Sequence, residues 1–117
     1  MMNLFFANRK MQKLLNGEKA ILRHFGTAVG RHVMQRLTEL DAAETLQMVS
    51  HLPPPRCHEL TVPGEHVFSV DVSGNMRLLF RPHGEFAEKE DGGIELASVK
   101  SVCVIEVKDT HEGKIRR

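Results

Sequence analysis

The spacing of apolar residues divides the chain into a helical half and a strand half. Asn3–Ala7 (NLFFA) opens the sequence as a short apolar strand. From Arg9 to Phe25, the residues Met11, Leu14, Leu15, Ile21, Leu22 and Phe25 recur at spacings near one helical stripe, with Gly17 as a candidate break. Gly26 suits the end of that helix, and Thr27 can cap the next. The second helix is predicted over Ala28–Ala43. Val29, Val33, Leu37 and Leu40 share its apolar face, while Arg31, Arg36 and Glu39 fall elsewhere. A short helix is placed at Glu44–Ser50, and Pro53, Pro54 and Pro55 prevent it from continuing.

Beyond the prolines the period changes to two. His58–Val62 reads as a short strand. Val67–Val72 puts Phe68, Val70 and Val72 on one face and Ser69 and Asp71 on the other. Ser73, Gly74 and Asn75 form a turn into Met76–Arg81, where Met76, Leu78 and Phe80 oppose Arg77, Leu79 and Arg81. Residues 82–98 are polar and glycine-rich and read as a long mobile loop. Val99–Asp109 is apolar enough on both faces to lie inside a sheet. The expected fold is a single α+β domain: an N-terminal strand, two to three helices, then an antiparallel strand meander with the helices on one sheet face. Residues 112–117 form a tail.

A length of 117 residues suits one domain with a modest core. The net charge of +1 gives no bulk signal for nucleic acid, but the charge is unevenly placed. Residues 1–36 hold seven cations against one acid (+6), and the remainder nine against fourteen (−5). That split permits a basic face for phosphate or an acidic partner; charge alone favours the plainer reading, a solvated helix surface. Trp and Tyr are absent, which argues against stacking of bases on aromatic platforms.

Cys57 and Cys103 stand in no ligand spacing, and Cys103 lies in an apolar run that suits a buried thiol. His51, Cys57, His58 and His66 match no common zinc pattern, and no serine occupies a nucleophile-elbow context. No apolar run approaches the roughly 20 residues of a membrane span. The first residues lack the basic-then-apolar order of a signal peptide. The expectation is a cytoplasmic protein that needs neither cofactor nor metal.

Three segments are more specific than this outline: "LPPPRCHELT" at 52–61, "VFSVDVSGNMRLLFRP" at 67–82 and "VCVIEVKDTH" at 102–111. With "FANRKMQKLLNGEKA" at 6–20, "RLTELDAAETLQMV" at 36–49 and "EKEDGG" at 88–93, they resemble the RelE/ParE superfamily of bacterial toxins, in particular its HigB-like killer proteins. Some relatives with a longer final hairpin carry the label killer suppression protein. The resemblance runs from Leu4 to about Gly113. It implies a RelE-like α+β domain that enters the ribosomal A site and cuts messenger RNA. It also implies a cognate antitoxin, often of helix-turn-helix (HigA-like) type, that neutralises the toxin.

Metal-free RNA cleavage uses the substrate's 2′-hydroxyl as nucleophile. The protein must move protons and stabilise negative charge on phosphorus. Imidazoles suit the first task and arginines the second. The resemblance makes His111, in the closing Asp-Thr-His, a general acid or base, with Asp109 orienting its surroundings. His58, in the His-Glu-Leu after the prolines, is the second imidazole. Arg77 is the phosphate-gripping guanidinium, and Arg81 follows two side-chain steps along the same strand face. Arg56, Lys108 and Thr110 complete the expected RNA contacts.

Thr110 stands where the family usually has Tyr, and Met76 where it often has Trp. Threonine neither stacks on a base nor serves as an acid. These departures keep open an alternative: a non-catalytic RelE/ParE-fold protein that is gyrase-directed or only pairs with a partner.

Overall fold

The computed structural model describes residues 1–109. Thr110 and His111 lie outside the described residues. The chain forms β1 (Asn3–Phe6), α1 (Arg9–Leu14), α2 (Glu18–Phe25), α3 (Thr27–Ala42), β2 (His58–Leu60), β3 (Val67–Ser73), β4 (Met76–Pro82) and β5 (Ser101–Asp109). Single 3₁₀ turns occupy Leu46–Met48 and Leu96–Ser98. The sheet order is β1-β5-β4-β3-β2. β2 to β5 form the expected antiparallel meander, and β1 joins parallel to β5, which therefore sits inside the sheet.

Several boundaries differ from expectation. The first helical stripe is two helices, because Gly17 at φ 125° takes a conformation that breaks the run. Asn8 caps α1: its side chain accepts a hydrogen bond from the Met11 N–H at 2.9 Å. Thr27 is not a cap but the first residue of α3. Gly26, at φ 82°, ends α2 by donating its N–H to the Leu22 carbonyl and also stands at the N-cap of α3. Glu44–Ser50 keeps only a 3₁₀ turn.

Residues 83–95 are not a featureless loop. Glu88 and Ile94 form a bridge, Lys89 and Gly93 close a turn, and Ile94 is buried. Ile94, with Phe86 packed partly buried against the same core, anchors a stretch whose composition reads as polar.

The core lies between the helices and one face of the sheet. Val33 and Leu40 of α3 pack with Val70, Leu78, Phe80, Val102 and Val104. Phe68 and Phe80 stack with centroids 5.8 Å apart. Arg36 departs from its expected place on the polar surface. It lies three residues after Val33 and four before Leu40, hence on the core-facing stripe, and its side chain is 4% exposed. No described helix is long and apolar enough to cross a membrane.

Candidate functional site

Cross-strand register fixes what lies on the sheet face away from the helices. His58 pairs with Ser69, Asp71 with Arg77, Ser69 with Leu79, and Arg77 with Lys108. Directly opposed residues share a face, as do residues two apart along a strand. His58, Ser69, Asp71, Arg77, Leu79, Arg81 and Lys108 therefore share one face. Leu79 and Cys103 are buried but stand outside the helix-packed core, which marks this as a second packed surface. The register shifts between Asp71 and Ser73, and again between Leu79 and Phe80, so two irregularities bracket Arg77–Leu79. Such irregularities re-aim side chains and recur beside functional sites.

Asp71 organises this face. Arg56 grips its carboxylate with two bonds, Nε to Oδ2 at 2.7 Å and Nη2 to Oδ1 at 3.0 Å. Arg77 donates to Oδ1 from Nη1. Arg36 reaches the Asp71 carbonyl from the helix side, Nε to O at 2.7 Å, and its Nη1 contacts both Glu39 carboxylate oxygens at 2.9 Å. Desolvation pushes the Asp71 carboxyl up. Hydrogen bonds and charge from Arg56 and Arg77 outweigh that push and hold it below the usual carboxylate range. At neutral pH Asp71 is an anion between two guanidiniums, and the trio carries a net positive charge.

The proline run delivers Arg56 to this point. Pro55 accepts from the Asp71 N–H at 2.8 Å, and the Cys57 N–H donates to Ser50 at 2.9 Å. Between them Arg56 adopts φ 47°, a left-handed conformation that costs a non-glycine residue about 1 kcal/mol. The same turn positions His58, whose Nδ1 lies 3.1 Å from the Arg56 carbonyl. A carbonyl only accepts, so Nδ1 carries the proton and Nε2 of the neutral ring holds the lone pair. His58 also lines a cavity of about 460 Å³ that includes Leu46, His51, Cys57, Glu59 and Phe68. Burial pushes the Cys57 thiol up to about 11, so it stays protonated and unreactive near neutral pH.

The structure thus brings Arg56 and Arg77 together on Asp71, places Lys108 beside Arg77, and puts His58 on the same face opposite Ser69. Arg81 shares the face but turns to Glu65, 3.9 Å away, and does not join the Asp71 cluster. Asp109 pairs with Met76, on the opposite side of β5 from Lys108, so the register does not align it with Arg77. His111 and Thr110 are not described. Asp71 and Arg36 were missed by sequence reasoning. The available signal was a lone carboxylate among the polar positions of β3, and an arginine at apolar spacing in α3.

Glu59, on the other side of β2 from His58, accepts from His66 Nδ1 at 2.9 Å. Glu88 meets the same ring at Nε2, 3.2 Å away. The Glu59 hydrogen bond, with support from Glu88, raises the His66 pKa against a smaller opposing desolvation. A separate cavity of about 480 Å³ runs along Met48, Val49 and the prolines, with Glu39 and Glu44 at its rim. It contains none of the candidate side chains. Among the described residues no three His, Cys, Asp or Glu side chains gather as a metal site.

Comparison with protein-family models, with curated proteins and with solved structures finds no match to this chain.

Proposed function

We propose that the chain is a RelE/HigB-like toxin that cuts messenger RNA on the ribosome and is neutralised by a protein antitoxin. The observation that carries this reading is the pair of guanidiniums, Arg56 and Arg77, fixed on Asp71, on the sheet face that also carries His58. The two segments that contribute them, 52–61 and 67–82, are among those with the family resemblance. Two guanidiniums held at fixed spacing by one carboxylate are prepared for a phosphate, because little side-chain freedom remains to be lost on binding. Arg77 would neutralise charge on phosphorus, and Lys108 would add a second cation. His58, with Nε2 as the free base, is suited to take the 2′-hydroxyl proton, and His111 to protonate the leaving 5′-oxygen.

Two observations favour the second reading, a non-catalytic binding protein of the same fold. Asp71 already occupies both guanidiniums, and Thr110 replaces the tyrosine. In that case the cluster is a structural ion network.

Controlled expression in a bacterial host separates the two. Wild type should arrest growth and fragment messenger RNA, and Arg77→Ala and His111→Ala should abolish both effects. Normal growth with intact RNA from folded wild type would favour the binding protein. Arrest with intact RNA would indicate a different target.

A further inference from the structure

The guanidinium face leaves most of the chain's basic residues unexplained. Arg9, Lys10, Lys13, Lys19 and Arg23 are exposed on α1 and α2. None of the five makes an ion pair among the described residues. Glu18 is the only acid within residues 1–36. Two clefts lie in this surface and share Lys13. One, of about 400 Å³, has Leu14 and Ala20 among its walls and Lys10, Lys13, Arg23 and His24 around them. The other, of about 240 Å³, is lined by Arg9, Gln12, Lys13 and Asn16.

We propose that the α1–α2 surface docks an acidic, amphipathic peptide segment of a protein partner. The larger cleft has room for an aliphatic side chain, which Leu14 and Ala20 would contact. The surrounding cations would meet carboxylates on the same segment. Arg9, Gln12 and Asn16 extend the surface with donors for a further carboxylate. This chemistry fits a peptide better than RNA. A phosphate backbone gains nothing from an apolar cleft, and the surface has no exposed phenyl ring on which a base could stack: Phe25 is half-buried and edge-on to His24. With six and eight residues, the two helices suit a segment of about two helical turns. The inference is independent of RNA cleavage, since it rests on a different part of the molecule.

The test uses the full chain and a labelled synthetic peptide of about 16 residues with Glu and Leu at i, i+4 spacing, followed by fluorescence anisotropy. Saturable, salt-sensitive binding is expected. The exposed double variant Lys13→Glu/Arg23→Glu should bind about tenfold more weakly at unchanged melting temperature, and a peptide with Ser for Leu should also lose affinity. Arg77→Ala should bind the peptide as wild type does, whatever it does to RNA cleavage. Absence of saturable binding, or binding indifferent to the charge reversal, would overturn the proposal. So would tighter binding of a single-stranded RNA oligonucleotide that the double variant abolishes, which would make this a nucleic-acid surface.

Discussion

Two cationic regions of this molecule are built on opposite principles. In the cluster at Asp71, Arg36, Arg56 and Arg77 are each fixed by a carboxylate or a carbonyl, and Arg36 is buried. On α1 and α2, Arg9, Lys10, Lys13 and Arg23 are exposed and meet no anion among the described residues. A fixed guanidinium has lost much of its rotamer entropy during folding. It stabilises the fold and presents a defined geometry. An unpaired surface cation contributes little to stability, but its field acts on whatever approaches. Mutations in the two regions should therefore act on different observables.

The largest expected effect is at Arg36. Arg36→Ala empties a buried site and leaves the Asp71 carbonyl without its donor. Unfolding in urea should show a loss of about 3 kcal/mol. A loss below about 1 kcal/mol would place Arg36 with the surface cations.

Asp71→Ala should cost about 2 kcal/mol, by freeing two half-buried guanidiniums from their acceptor. The folded-state pKa of Asp71 is lowered. Its contribution is thus present above the unfolded value near 4 and is lost as pH falls through the folded value. The stability gap between wild type and Asp71→Asn should close as the solution is acidified below about pH 4. A gap that stays constant in acid would show that the carboxylate charge does not hold the arginines.

His66 is an intermediate case, half-buried and held by two carboxylates. Its folded-state pKa is raised, so its stabilisation is complete below the unfolded value near 6.5 and is lost as pH rises through the folded value. Wild type should exceed His66→Gln by under about 1 kcal/mol in mild acid, and the two should converge in alkali. The opposite pH trend would contradict the hydrogen-bond arrangement.

The smallest effects are expected on the helices. Lys13→Ala and Arg23→Ala should each leave stability within about 0.5 kcal/mol of wild type. A larger loss would mean that this surface is structural, and the comparison would fail there.

Much of this architecture was legible before any coordinates. Alternation from Phe68 to Phe80 placed Arg77 and Arg81 opposite the core, because a sheet with one packed face enforces period two. The helical stripe from Val33 to Leu40 was equally clear. What escaped was polar burial. Arg36 occupies an apolar spacing, yet its charge argued for the surface, and only the Asp71 carbonyl and Glu39 explain how it is accommodated. Asp71 looked like a solvent-facing strand residue, because nothing local shows that Arg56, fifteen positions earlier, returns to it. Ile94 was hidden in a run of glycines and acids. Arg56 and His58 entered the candidate site only through the resemblance, and neither periodicity nor charge would have joined Arg56 to Arg77 through Asp71.

The central claim is that the guanidiniums at Asp71 serve a scissile phosphate. The most direct measurement is cleavage of a defined messenger RNA on purified ribosomes with a programmed A site, comparing folded wild type with Arg77→Ala. The account predicts cleavage by wild type and a rate lower by about 10²–10³-fold in the variant, the usual cost of removing one group that stabilises transition-state charge. Equal cleavage by both proteins, or none by folded wild type, would contradict it.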